Sequence, residues 1–232
     1  MAAPRIRVYL EMGKRRVFAA AIEWPGWSRS GPDEEAALEA LVDYGPRFRR
    51  DLRRAASGFE PPADGSALRV VERLEGNATT DFGAPGQAPA ADERPFDEVE
   101  AKRQAAILRA AWAAFDRTAK AAAGATLRKG PRGGGRGLDA IVGHVLEADA
   151  AYLGKLGGRR PKPPAATDVW SEIAGLRRAA LGLLSSLARG EPPPRTPRSG
   201  SLWTPRYFVR RSAWHALDHA WEIEDRSAPP RG

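Results

Sequence analysis

At 232 residues and 42% hydrophobic content, the chain is long enough for one large domain or two smaller ones and has the apolar content of an ordinary globular protein. It has no cysteine, which excludes disulfides, thiolate metal ligands and a cysteine nucleophile, and permits a reducing compartment. The net charge of +8 is uneven: residues 1–95 hold 14 Lys and Arg against 15 Asp and Glu, while residues 96–232 hold 23 against 14, so the excess lies in the second part.

No apolar run approaches the roughly 18 residues that span a bilayer, and the opening MAAPRIRVYLEMGKRR lacks the apolar core of a signal peptide. A cytoplasmic location without membrane attachment is therefore expected. Residues 6–12 (IRVYLEM) and 16–24 (RVFAAAIEW) are β-prone runs separated by Gly13-Lys14-Arg15, which predicts an antiparallel hairpin. Trp24-Pro25-Gly26-Trp27 ends the second strand. Asp33 then caps a helix through Glu34, Glu35, Ala36, Leu38, Leu41 and Val42, interrupted at Tyr44-Gly45-Pro46. Residues 48–56 predict a short second helix, and 68–74 (LRVVERL) a third strand.

The run 17–44, with Trp24, Pro25 and Gly26 at the turn, Gly31 closing a short polar link, and Glu34, Glu35 and Ala36 opening the helix, resembles the HicB-like fold. The resemblance implies a ββαβ unit over residues 1–90. Such units often accompany toxin neutralisation and also serve as accessory domains, so no activity is carried over. On the residues alone, Trp24 and Trp27 close the hairpin against the helix. Residues 77–93 (NATTDFGAPGQAPAADE) have the composition of a linker and mark a boundary.

Residues 95–228 carry four helical patterns. Residues 99–123 place Ile107, Leu108, Ala111, Trp112, Phe115 and Ala119 at helical spacing, and 138–156 follow up to Gly157. Thr167 is the expected cap of a helix over 168–188, in which Ile173, Leu176, Ala180, Leu183, Leu184 and Leu187 form one stripe. Thr204 and Pro205 open a last helix to about Arg226. The fold class predicted is thus a small α+β unit followed by an all-α four-helix bundle. The basic segments around Arg128, Lys129, Arg132 and Arg136, around Arg159, Arg160 and Lys162, and at Arg195 and Arg198 are rich in Gly and Pro and lack interleaved aromatics. They read as solvated loops, which argues against a nucleic-acid partner.

The chain's three histidines stand apart from these loops. His215 and His219 are spaced i and i+4, about 40° apart around a helix axis and about 6 Å along it, so both rings can converge on one ion. His144 shares a helical face with Ile141, Ala148 and Tyr152 and points inward. Three protein ligands leave a position open for water or substrate, as in catalytic zinc sites. Each histidine taken singly also reads as a hydrogen-bonded core group.

The stretches GLDAIVGHVLEADAAYLGKL and RRSAWHALDHAWEIEDR, with His144 in the second helix and His215 and His219 in the fourth, resemble the DinB/YfiT-like superfamily of four-helix metalloproteins. The resemblance implies a divalent ion on these three histidines, zinc or nickel. In some branches it also implies transfer or isomerisation that depends on a low-molecular-weight thiol such as mycothiol or bacillithiol. Ala216 stands where a zinc protease needs its glutamate, so proteolysis is not expected. Glu222, on the metal-facing side, could accept a hydrogen bond from a ligand histidine, act as a catalytic base, or pair with Arg226. Arg211, one turn before His215, could receive an acidic substrate or pair with a bundle carboxylate. Two function classes follow: a metal-dependent transferase or hydrolase acting on a small molecule, and a non-catalytic metal-binding regulatory or interaction module. A homodimer is compatible with either.

Overall fold

The computed structural model describes residues 5–129, 135–165, 167–195 and 201–227. The basic residues Arg132 and Arg198 and the expected end of the last domain at residue 228 lie outside the described residues. Strand β1 (Ile6–Met12) pairs antiparallel with β2 (Val17–Ala21), Met12 opposite Val17, which is the expected hairpin. Beyond it, β2 pairs with β3 (Ser28–Gly31), and β4 (Leu68–Glu75) lies parallel to β1, giving the order β3-β2-β1-β4. Strand β3 was expected to be a polar link. Its sequence, SRSG, carries no alternation of apolar residues, and it becomes a strand by pairing with the free edge of β2.

The parallel pairing of β1 and β4 requires a crossover, supplied by α1 (Glu34–Asp43) and α2 (Gly45–Leu52). Asp33 caps α1 as expected, its carboxylate accepting from the Ala36 N–H at 2.9 Å. The Trp27 indole donates to the Leu41 carbonyl at 2.9 Å and is fully buried, closing the hairpin against α1. Both faces of β1 are covered. Val8 and Leu10 join the main core, while Tyr9 packs with Ala20 and Ile22 on the opposite side.

Residues 77–93, expected as a linker, are built into the molecule. Asn77 and Thr80 form a capping box on α3 (Ala78–Phe82), and a 3-10 turn spans Ala90–Glu93. Fully buried Glu11 accepts from the Thr80 hydroxyl and from the Gly86 and Gln87 backbone N–H groups, which offset the burial that raises its pKa. Composition reported the turns of this segment but not the buried carboxylate that orders it.

Four long helices follow: α4 (Glu98–Ala121), α5 (Leu138–Lys155), α6 (Val169–Ala188) and α7 (Pro205–Ser227). They pack in a cycle, α4 on α7, α7 on α5, α5 on α6 and α6 on α4. Asp168, rather than Thr167, caps α6: its carboxylate accepts from Trp170 and Ser171, and the Thr167 hydroxyl donates to Pro164 instead. Arg177 of α6 binds Asp116 of α4 at 2.8 Å and buried Asp149 of α5 at 3.3 Å, joining three helices. Burial raises the Asp149 pKa to about 6. No described helix is long and apolar enough to cross a membrane.

Helix α7 is buried nearly all round because the sheet unit packs on the side away from α5. Arg210 donates to both oxygens of Asp92 and to the carbonyls of Ala21 and Ile22, with both side chains almost wholly inaccessible. Gly26, with φ of 94°, sits so close that an added Cβ would lie 2.9 Å from the Ala213 Cβ. Trp221 donates to Asp51 at 2.7 Å, and Arg29 pairs with Asp218 at 2.9 Å. These contacts fix the rotation of α7, and hence which of its faces is left for α5.

Candidate metal centre

The face of α7 turned toward α5 carries His215 and His219, and α5 places His144 opposite them. One nitrogen from each ring lies within 4.8 Å of the other two, and this is the group of potential ligands that the described residues assemble. The ring centroids are 4.6 Å apart for His215 and His219 and 5.1 Å apart for His144 with either. His144 Nε2 and His215 Nε2 are 3.2 Å apart. A tetrahedral ion with Zn–N bonds of 2.0–2.1 Å separates its ligand nitrogens by about 3.3 Å, so this pair already has the spacing of two ligands.

The protonation states suit ligation. His215 is 6% exposed, and burial holds its pKa well below the ordinary value, with the neighbouring His219, Arg211, His144 and Arg136 acting in the same direction. The pKa of His144 is lowered mainly by burial and then by His219. Both rings are therefore neutral near pH 7, with a lone pair to offer. His215 Nδ1 is buried and has no partner among the described residues, so the ligand-like spacing on its other side is not matched by the usual outer hydrogen bond.

His219 does have that outer partner. Its Nδ1 lies 2.8 Å from Glu222 Oε2, and Arg226 donates to Glu222 Oε1 at 2.7 Å. The hydrogen bond from His219 is the leading cause of the lowered Glu222 pKa, so Glu222 is ionised and can only accept. Nδ1 of His219 therefore donates to Glu222, and in the neutral ring this tautomer leaves the lone pair on Nε2. Glu222 thus accepts from His219 and pairs with Arg226 at once. Arg226 also donates to the carbonyls of Arg128 and Arg136, so the described ends of the basic loop between α4 and α5 are tied to this corner.

Arg211 is 9% exposed, its guanidinium 4.6 Å from the Trp214 ring and 5.4 Å from that of Tyr152. The Tyr152 ring in turn is 5.6 Å from that of His215. Arg211 Nη1 is buried without a hydrogen-bond partner, and among the described residues Arg211 has no carboxylate within salt-bridge distance, its charge reaching buried Glu11 only at longer range. The expected alternative of a bundle carboxylate for Arg211 is therefore not realised. Trp214 and Tyr152 as the aromatic bed of that arginine were not anticipated; the sequence signal available was the placement of Tyr152 two turns after His144 on the same face.

No curated protein and no solved structure matches the chain. The family model of the DinB superfamily matches residues 107–223, about half of the chain, from the middle of α4 to the last turns of α7, and so includes all three histidines. With the histidines converging inside the matched segment, the chain belongs to the DinB superfamily.

Proposed function

We propose that this is a divalent-metal-dependent enzyme whose four long helices form a bundle around one ion, zinc or nickel, held by His144, His215 and His219. The observation that carries the reading is the approach of three ring nitrogens to within 4.8 Å, two of the rings being kept neutral by their surroundings. A divalent ion in that position supplies a Lewis acid that makes a bound water or thiol nucleophilic near neutral pH. The remaining work belongs to the chain. Glu222 positions His219 and fixes its tautomer; with both oxygens engaged, it fits this role better than that of a base. Arg211, with an unpaired N–H beside the His215–Tyr152 pair, would receive an acidic group of the substrate.

The reaction class that follows is transfer dependent on a low-molecular-weight thiol, or hydrolysis, acting on an acidic small molecule. Because the chain has no cysteine, sulfur chemistry requires an external thiol. In this reading residues 1–90 are an accessory unit of HicB-like kind, which supplies no ligand and braces α7 through the Ala21 and Ile22 carbonyls, which accept from Arg210, and through Asp51, which accepts from Trp221. Elemental analysis of the purified chain, followed by a substrate screen with and without thiol cofactors, tests the proposal. One divalent ion per chain is expected, and its loss in His215→Ala and in His219→Ala. Equal metal content in wild type and either variant would overturn the reading.

A further inference from the structure

Away from the histidines, an open groove of about 1050 Å³ lies where the first turns of α4 and α7 meet the β1–β4 side of the sheet. Six arginines line it: Arg5, Arg7, Arg69, Arg94, Arg103 and Arg206. Against them stand Glu23 and Glu100. Glu23 pairs with Arg7, and Glu100 is shared by Arg206 and Arg103. Arg5, Arg69 and Arg94 form no ion pair with a described residue, so the groove holds an uncompensated excess of guanidinium.

The sheet register sharpens that excess. Arg7 and Arg69 are direct partners across the parallel β1–β4 pair, which places like charges side by side on one face. Like charges side by side repel, and Glu23 compensates Arg7 but leaves Arg69 without a carboxylate among the described residues. Glu100 and Arg206 stand in the first turns of α4 and α7, so the amino-terminal turns of two helices border the groove. One wall is flat and aromatic. The half-buried Trp24 has the Arg103 guanidinium over its ring, 5.3 Å from the centroid, and makes a T-shaped contact with Phe59 at 5.1 Å between centroids.

We infer that this groove is a second binding site, for a small molecule that carries at least two phosphate groups and a planar ring, the chemistry of a nucleoside diphosphate. Guanidinium forks match phosphate oxygens two at a time, and several of them converge here. Trp24 offers a stacking face for the ring. Arg206 precedes His215 by nine residues, about 13 Å along the axis of α7, so the site is distinct from the histidine cluster and does not depend on a metal being bound there.

Isothermal titration of the full chain with ADP, pyrophosphate, inorganic phosphate and hexaglutamate tests the inference. ADP should bind most tightly, pyrophosphate next and phosphate most weakly. The double variant Arg69→Ser with Arg94→Ser alters two exposed arginines without ion pairs, keeps the fold by circular dichroism, and should weaken ADP binding at least tenfold. Trp24→Leu should reduce the affinity for ADP to that for pyrophosphate, and His215→Ala should leave ADP binding unchanged. The inference is overturned if ADP gives no saturable binding at millimolar concentration, or if hexaglutamate binds as tightly as ADP. It is equally overturned if ADP binding is lost in His215→Ala and retained in the double arginine variant.

Discussion

Replacing Glu222 by glutamine preserves shape and removes one charge, which tests whether the carboxylate sets the ligand state of His219. In the wild type one oxygen accepts from His219 Nδ1 at 2.8 Å and the other from Arg226 at 2.7 Å. A glutamine has one oxygen for two donors. If its oxygen stays with Arg226, its amide N–H faces His219 Nδ1, and the ring must move its proton to Nε2, which ends ligation. If the oxygen turns to His219, the amide nitrogen meets Arg226 donor to donor. Either arrangement forfeits a charge-assisted hydrogen bond of about 1.5–3 kcal/mol. Loss of such an outer partner lowers metal affinity 10–100-fold, about 1.4–2.7 kcal/mol of binding free energy. Competitive titration of zinc against a chromophoric chelator at pH 7.5 measures it. Unchanged affinity in a folded Glu222→Gln protein would refute the tautomer argument.

Other perturbations probe the frame. Arg210→Met strands the Asp92 carboxylate, 1% exposed, and should cost about 3–5 kcal/mol, seen as a fall of roughly 10 °C in Tm; a shift under 2 °C would mean that the pair does not fasten the sheet unit to α7. Gly26→Ala meets both a φ of 94° and Ala213 at 2.9 Å, so urea denaturation should show a loss of about 1–3 kcal/mol, and no loss would contradict the close docking of the turn. For metal-free protein, the unfolded chain takes up protons near pH 6.5 where folded His215 does not. Stability that is complete above that pH should therefore fall on acidification, by up to about 1.4 kcal/mol per pH unit from His215 alone. Glu222, whose folded pKa is depressed, adds its own loss only below its ordinary 4.5. Urea midpoints for wild type and His215→Asn between pH 7.5 and 5.5 check this, since parallel curves would show that His215 is not kept neutral by the fold.

The local signals in the chain were enough for most elements and for the candidate ligands. The β-prone run IRVYLEM, the Asp33 cap and the Thr204-Pro205 start each act within a few residues, and each appears where expected. The i, i+4 spacing of His215 and His219 and the inward face of His144 are likewise properties of single helices, and those three rings meet. What failed depended on distant partners. The four residues of β3 have no strand pattern of their own and are recruited by the edge of β2. Residues 77–93 look like a linker until Glu11 and Arg210, far away in sequence, bring charges that their backbone and Asp92 must meet. Glu222 could be read three ways because its role depends on where Arg226 and His219 point once α7 is docked. The arginine groove was invisible for the same reason: its six side chains come from five stretches of chain, and only the packing of the sheet against α4 and α7 sets like charges together that the sequence keeps apart.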